Sequence, residues 1–144
     1  MFTDNLKVTG HLKVYKNDEL VQDIPNLVVT TGKNFIASRM KDTGSPTQMT
    51  HMAIGTGAVA AAAGDSTLGA EAARVALSTA GGTVAGAVVT YAATFGAGTG
   101  TGAITEAGLF NAASSGTLLC RTVFSAVNKG ASDSLSITWT VTIS

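Results

Sequence analysis

The stretch "SLSITWTVTIS" (Ser134–Ser144) reads as a strand and as no other element. Every odd position from Leu135 to Ile143 is apolar (Leu135, Ile137, Trp139, Val141, Ile143), and Ser136, Thr138, Thr140 and Thr142 fill the gaps. Side chains on a strand alternate between two faces, so this spacing builds one buried face and one hydroxyl face. The other end of the chain repeats the pattern. In "LKVTGHLKVY", Leu6, Val8, Leu12 and Val14 point one way, and Lys7, Thr9, His11 and Lys13 point the other. "KND" (Lys16–Asp18) is a turn signal, and "ELVQDI" is expected to return as the second arm of a hairpin. Pro25 is expected to interrupt pairing there, before "NLVVTT" forms a short buried strand.

Between these ends the period changes once. In "TTGKNFIASRMKD", Phe35, Ile36 and Met40 fall near one helical face, with Lys33, Arg39 and Lys41 outside it. Thr31 is placed to cap a short helix near residues 32–41. "MTHMAIGTG" predicts a strand from Thr50 to Gly55. Gly64 and Gly69 break the low-complexity run "AVAAAAGDSTLGAEAA", so a long irregular connection is expected. "RVALSTA" and "TVAGAVVTYAATF", joined at Gly81–Gly82, predict a hairpin in which Val89, Tyr91, Ala93 and Phe95 share a face. "GAGTGTG" (Gly96–Gly102) reads as a loop. "AITEAGLF" and "TLLCRTVFSAV" read as further strands, separated by the turn "NAASSG". The expectation is a single domain over residues 1–144, with residues 1–5 as an N-terminal arm. It has eight or nine strands and one helix, arranged as an antiparallel β-sandwich of jelly-roll or Ig-like type or a partly closed barrel.

The totals narrow the function classes. Lys and Arg number 9, as do Asp and Glu, so the formal net charge is zero. Phosphate binding needs an excess of positive charge, so nucleic acid is not the expected partner. Charged residues are 12% of the chain against 45% hydrophobic, less charge than a free monomer usually carries, which points to a surface covered by copies or partners. Cys120 is the single cysteine; in "TLLCRTVF" it reads as a small core residue rather than a reactive thiol. No run approaches the ~18 apolar residues of a membrane span, and "MFTDNLKVTG" lacks an apolar run of signal-peptide length. The expectation is a chain made and kept in a cytoplasm, with no membrane partner.

Candidate chemistry is sparse. "IGTGAVA" (Ile54–Ala60) matches G-x-G-x-x-A after a strand. The helix, the second parallel strand and the distal acid of a dinucleotide site do not follow, so Gly55 and Gly57 read as a turn with positive φ. His11 and His51 stand forty positions apart without metal-ligand spacing, and G-x-S-x-G is absent. Glu106, alone between apolar neighbours, is expected to pair with Arg121 or Arg74. The lysines of "NLKVTGHLKVYK" read as guards of an exposed strand edge. One Trp, two Tyr and five Phe are few for a carbohydrate-binding sandwich. No catalytic residue, metal site or cofactor is expected.

Two regions resemble small virion proteins of tailed bacteriophages. "NLVVTTGKNFIASRM" follows NLV-T-G---IA-RM. "HMAIGTGAVAAAAGDSTLGAEAARVAL", with the segment from Ile104 to Ser144, resembles modules of phage tail-fibre and related structural proteins through I-E-GLF, L--R--F and K---D-L-ITW. The resemblance spans about residues 20–144 and brings no catalytic residues with it. It implies a non-enzymatic virion structural protein assembled in the host cytoplasm. The compact size favours a capsid decoration (cement) protein over a tail or tail-fibre adaptor. Its partners would be the major capsid protein or other virion proteins, and further copies of itself, with a homotrimer favoured. The expected contact residues are Phe2 and Leu6 in the arm, Leu68 in the loop Ala58–Gly69 and Thr99 in the loop Gly96–Gly102.

Overall fold

A computed structural model of the chain describes residues 5–41 and 46–144. Among the described residues there are nine strands and one helix: β1 (Val8–Lys16), β2 (Glu19–Val28), α1 (Thr30–Lys41), β3 (His51–Gly55), β4 (Glu71–Ala76), β5 (Thr83–Ala85), β6 (Val88–Phe95), β7 (Gly102–Phe110), β8 (Leu118–Lys129) and β9 (Leu135–Ile143). All pairings are antiparallel, in the order β4-β3-β7-β8-β2-β1-β9-β6-β5. The strands therefore form one continuous antiparallel sheet, curled into a half-barrel, the nearer of the two expected architectures being the partly closed barrel.

β2 makes the curl. Gly10 to Lys16 of β1 pair with Asn26 back to Glu19, and then Leu27 and Val28 pair with Arg121 and Cys120 of β8. Pro25 does not interrupt the strand. It lies opposite His11 just before the change of partner, where a residue without an N–H costs least. The first hairpin turns at Asn17 and Asp18, both at positive φ (48° and 68°), the conformation of a tight two-residue turn.

One core fills the concave side. It takes Leu12 and Val14 from β1, Tyr91, Ala93 and Phe95 from β6, and Ile137 and Trp139 from β9 on one half of the sheet. Met52 and Ile54, Ile104 and Leu109, and Leu119 and Phe124 face them from the other half. Trp139 is fully buried, and its indole N–H donates to Asn26 Oδ1 at 2.7 Å. This answers the polar end of a large apolar side chain. A second, smaller core of Val29, Ala53, Leu68, Phe110 and Leu118 lies apart from the first. Leu118 enters this core, Leu119 and Cys120 enter the first, Arg121 pairs with Glu106 and Thr122 donates to Pro25 O, so Leu118 to Thr122 are buried without alternation.

Several local expectations are corrected. β4 pairs with β3, not with the strand after Gly81–Gly82; the hairpin there is β5–β6, turning at Gly86–Ala87. α1 begins at Thr30, and Thr31 lies inside it, its hydroxyl donating to Leu118 O at 2.8 Å. β1 is flanked by β2 and β9, so its lysines guard no edge. They point to solvent from the middle of the sheet.

Candidate functional site

Two features stand out: a latch that fixes a loop, and an apolar mouth that none of the described residues covers. The latch is centred on Glu106 of β7, fully buried, and Arg121 of β8, 2% exposed. Glu106 Oε1 accepts from Arg121 Nε at 3.1 Å and Nη2 at 3.0 Å. Its carboxylate also accepts the backbone N–H groups of Gly57, Gly69 and Ala70, each at 2.7 Å. Arg121 Nη1 reaches Asp65 Oδ2 at 2.8 Å, and Nη2 donates to Val59 O at 2.9 Å. Thr105 Oγ1 donates to Gly57 O at 2.7 Å. The connection between β3 and β4 is irregular, as expected, but its two ends and its middle are tied to one buried ion pair.

The electrostatics follow from this geometry. Burial pushes the Glu106 carboxyl up, but the N–H bonds from Ala70 and Gly69, the Arg121 bond and the Gly57 bond together hold it below its ordinary value. Asp65 is also lowered, chiefly by the Ala62 N–H, with Arg121 adding to it. Burial pushes the Cys120 thiol up and Tyr91 to about 12. Neither group is ionised near neutral pH.

Gly55 and Gly57 are not the positive-φ turn that was expected; neither adopts positive φ. They are glycines because a Cβ at either would collide with the Glu106 carboxylate. The chain after Gly57 is not helical, so a dinucleotide fingerprint has no helix to complete it. Of the two partners expected for Glu106, Arg121 is the one it takes. Arg74 instead bonds Glu71 and the carbonyls of Ala112 and Ser115, with its guanidinium 3.7 Å from the Phe110 ring centre. His11 pairs with Asp23 on the exposed face, and His51 meets the Thr50 hydroxyl.

The apolar mouth lies between α1 and the end of the β6–β9 sheet, with a cavity of about 290 Å³. Phe35, Tyr91, Leu119 and Val141 form its buried floor. Ile36, Met40 and Ile143 stand on its rim with Val89, and among the described residues Arg39 is its only charged lining residue. The Arg39 guanidinium is steadied by Pro46 O at 3.0 Å.

The expected contact residues are scattered. Phe2 and most of the proposed arm lie outside the described residues. Leu6 is 75% exposed, next to Lys7, whose N–H and C=O both bond Ser144 and extend the β1–β9 ladder. Leu68, expected at a contact surface, is instead buried in the second core, covering Gly108 and Leu118. Thr99 is half-buried in a tight turn, its N–H bonded to Gly96 O at 3.1 Å. Sequence reasoning missed Asp65 as the third member of the latch and Met40 as a rim residue. The pattern of α1 shows that Ile36 and Met40 share a face, but carries no sign that the other described residues leave that face open.

No protein-family model, no curated protein and no solved structure matches this chain.

Proposed function

We propose that this chain is a non-enzymatic structural protein of a tailed-bacteriophage particle. The favoured role is a capsid decoration protein that binds the outer head surface, as an oligomer, and stabilises it. The observation that carries this reading is where the motif residues of the resemblance lie. Gly57 of "AIGTG", Glu106 of "ITEAGLF" and Arg121 of "LLCRTVF" meet in the latch. Trp139 of "ITW" is bonded to Asn26 of "NLV". These residues are spent on holding the chain's shape, which suits a component whose task is to present surfaces. The two halves of the sheet face each other across one core, and on this reading the arrangement is sandwich-like in the manner of other particle proteins. The charge-poor surface and a mouth that none of the described residues covers suit a chain that works against neighbours.

The rival placement is a tail or tail-fibre adaptor. Quantitative mass spectrometry of purified particles separates the two. A copy number comparable with that of the major capsid protein supports decoration. A number set by the tail's symmetry supports the adaptor. Absence from the particle overturns both. Heat or osmotic challenge of particles lacking the chain gives a second readout, with earlier genome release expected for a decoration protein.

A further inference from the structure

Of the eight large apolar side chains exposed among the described residues, four are Leu6 at 75%, Met40 at 85%, Val84 at 73% and Ile143 at 39%; Val59, Leu20, Val21 and Leu27 are the others. Strand register brings Leu6, Val84 and Ile143 to one end of the fold, and α1 sets Met40 beside Ile143 on the rim of the mouth. Val84 pairs with Val89, Val89 with Val141, and Val8 with Ile143. Directly paired residues share a face, so Val84 continues the mouth's apolar surface out to the sheet edge. Alternation from Val8 puts Leu6 on that face too. Contiguous exposed apolar surface of this kind marks a contact site.

The edge itself is open. Ala85 and Val88 flank the two-residue turn at Gly86–Ala87 and so exchange backbone hydrogen bonds. Val84, the next residue, therefore turns its N–H and C=O away from β6. Edges are usually guarded by charge, proline or cover. From Val75 to Thr105 there is no charged residue, and Thr83 to Ala85 are exposed throughout. Charge enters from the other side of the mouth: α1 carries Lys33, Arg39 and Lys41 and no acidic residue.

We infer that the mouth and the outer edge of β5 form one docking site for an extended protein segment with alternating apolar side chains and acidic residues at the end beside α1. The segment adds as a further strand along β5, taking backbone bonds from Val84. Its apolar side chains enter the mouth, and its carboxylates face Arg39 and its neighbours on the helix. A second copy of this chain docking mouth to mouth would bring the basic helices together, which disfavours that occupant. The inference rests on the interaction-protein reading above and names the chemistry of the partner.

Fluorescence anisotropy tests it with a labelled synthetic peptide of about ten residues, alternating Val and Thr and ending in Asp-Asp. Wild-type protein is expected to bind it, and to bind the Lys-Lys version at least about tenfold more weakly. Met40→Glu, on a side chain that packs against little, and Val84→Pro, which removes the edge donor, are each expected to abolish binding while the melting temperature of Met40→Glu stays at the wild-type value. No binding, equal binding of acidic and basic peptides, or binding unchanged by Met40→Glu overturns the inference. So does a wild-type dimer in sedimentation that Met40→Glu dissociates, because a second copy is then the occupant. Counting copies in particles is a separate measurement. Peptide binding by a chain absent from particles keeps the docking site and removes the virion reading.

Discussion

Glu106 is the residue on which most of the local order depends. Its carboxylate accepts three backbone N–H groups and an arginine fork without any exposure to water. Removing one partner of such a pair leaves the other charge buried and costs about 3–5 kcal/mol. Glu106→Gln leaves Arg121 short of its main counter-charge and turns an amide N–H₂ toward groups that are themselves donors. The expected outcome is a loss of that size in chemical denaturation, against a typical total of about 5–15 kcal/mol for a domain. Acid gives the second readout. A carboxyl held below its unfolded value stabilises the fold fully above that value and loses the contribution as pH falls through the folded value. Both Glu106 and Asp65 are lowered, so stability should fall below the ordinary Glu value of 4.5, and the Glu106→Gln variant should show a shallower acid limb. A wild-type protein equally stable on both sides of that pH would contradict the latch. Cys120 supplies a simpler check at the same scale. It is fully buried and burial raises its thiol, so alkylation should proceed only as fast as the protein unfolds.

At the scale of elements, the loop between β3 and β4 shows what sequence could and could not tell. Its lack of regular structure was legible from Gly64 and Gly69, and the pairing of Glu106 with an arginine, Arg121 or Arg74, from a lone acid among apolar residues. Its rigidity was not. The ties come from residues 36 to 62 positions away in the chain, and no local pattern encodes a contact of that span. The strands were read well where one face is buried, as in β1 and β9, because alternation is a direct record of that burial. The partner of each strand was read poorly. "RVALSTA" carries no mark that it pairs with β3 rather than β6, and Pro25 looked like a break because nothing local reveals a change of neighbour. The latch makes a testable element-scale claim. A fifteen-residue connection without secondary structure (Thr56–Ala70) would ordinarily be the first site of proteolytic nicking. Limited proteolysis of wild type should instead spare it, and the Glu106→Gln variant should be cut within residues 58–68 at a protease level that leaves wild type intact. Early cleavage of the wild-type loop would show that the ion pair does not hold it.

For the whole molecule, the closing strand has the widest consequences. β9 is last in the sequence yet lies inside the sheet, between β1 and β6. Its pairing joins Val8 to Ile143 and Lys16 to Leu135, so the first and last strands of the chain must meet before the concave core can close. Contacts of such sequence separation slow folding, because the entropy of closing the chain is lost before the packing is gained. β9 also brings Trp139, whose loss to Ala costs about 3–5 kcal/mol for a buried aromatic of this size. Deleting residues 135–144 would take away three further buried side chains, Leu135, Ile137 and Val141, with Ile143 on the rim, and would open the edges of β1 and β6 at once. Long unpaired edges next to exposed apolar faces pair with other chains. The truncated protein is therefore expected to aggregate and to show no cooperative thermal transition. Removing the β5 edge donor with Val84→Pro, two strands from β9 at the end of the sheet, should leave a single transition near that of wild type. A chain lacking β9 that still melts cooperatively within a few degrees of wild type would mean that the curled sheet closes its core without its last strand, and that the alternation in "SLSITWTVTIS" decides less of the fold than the register implies.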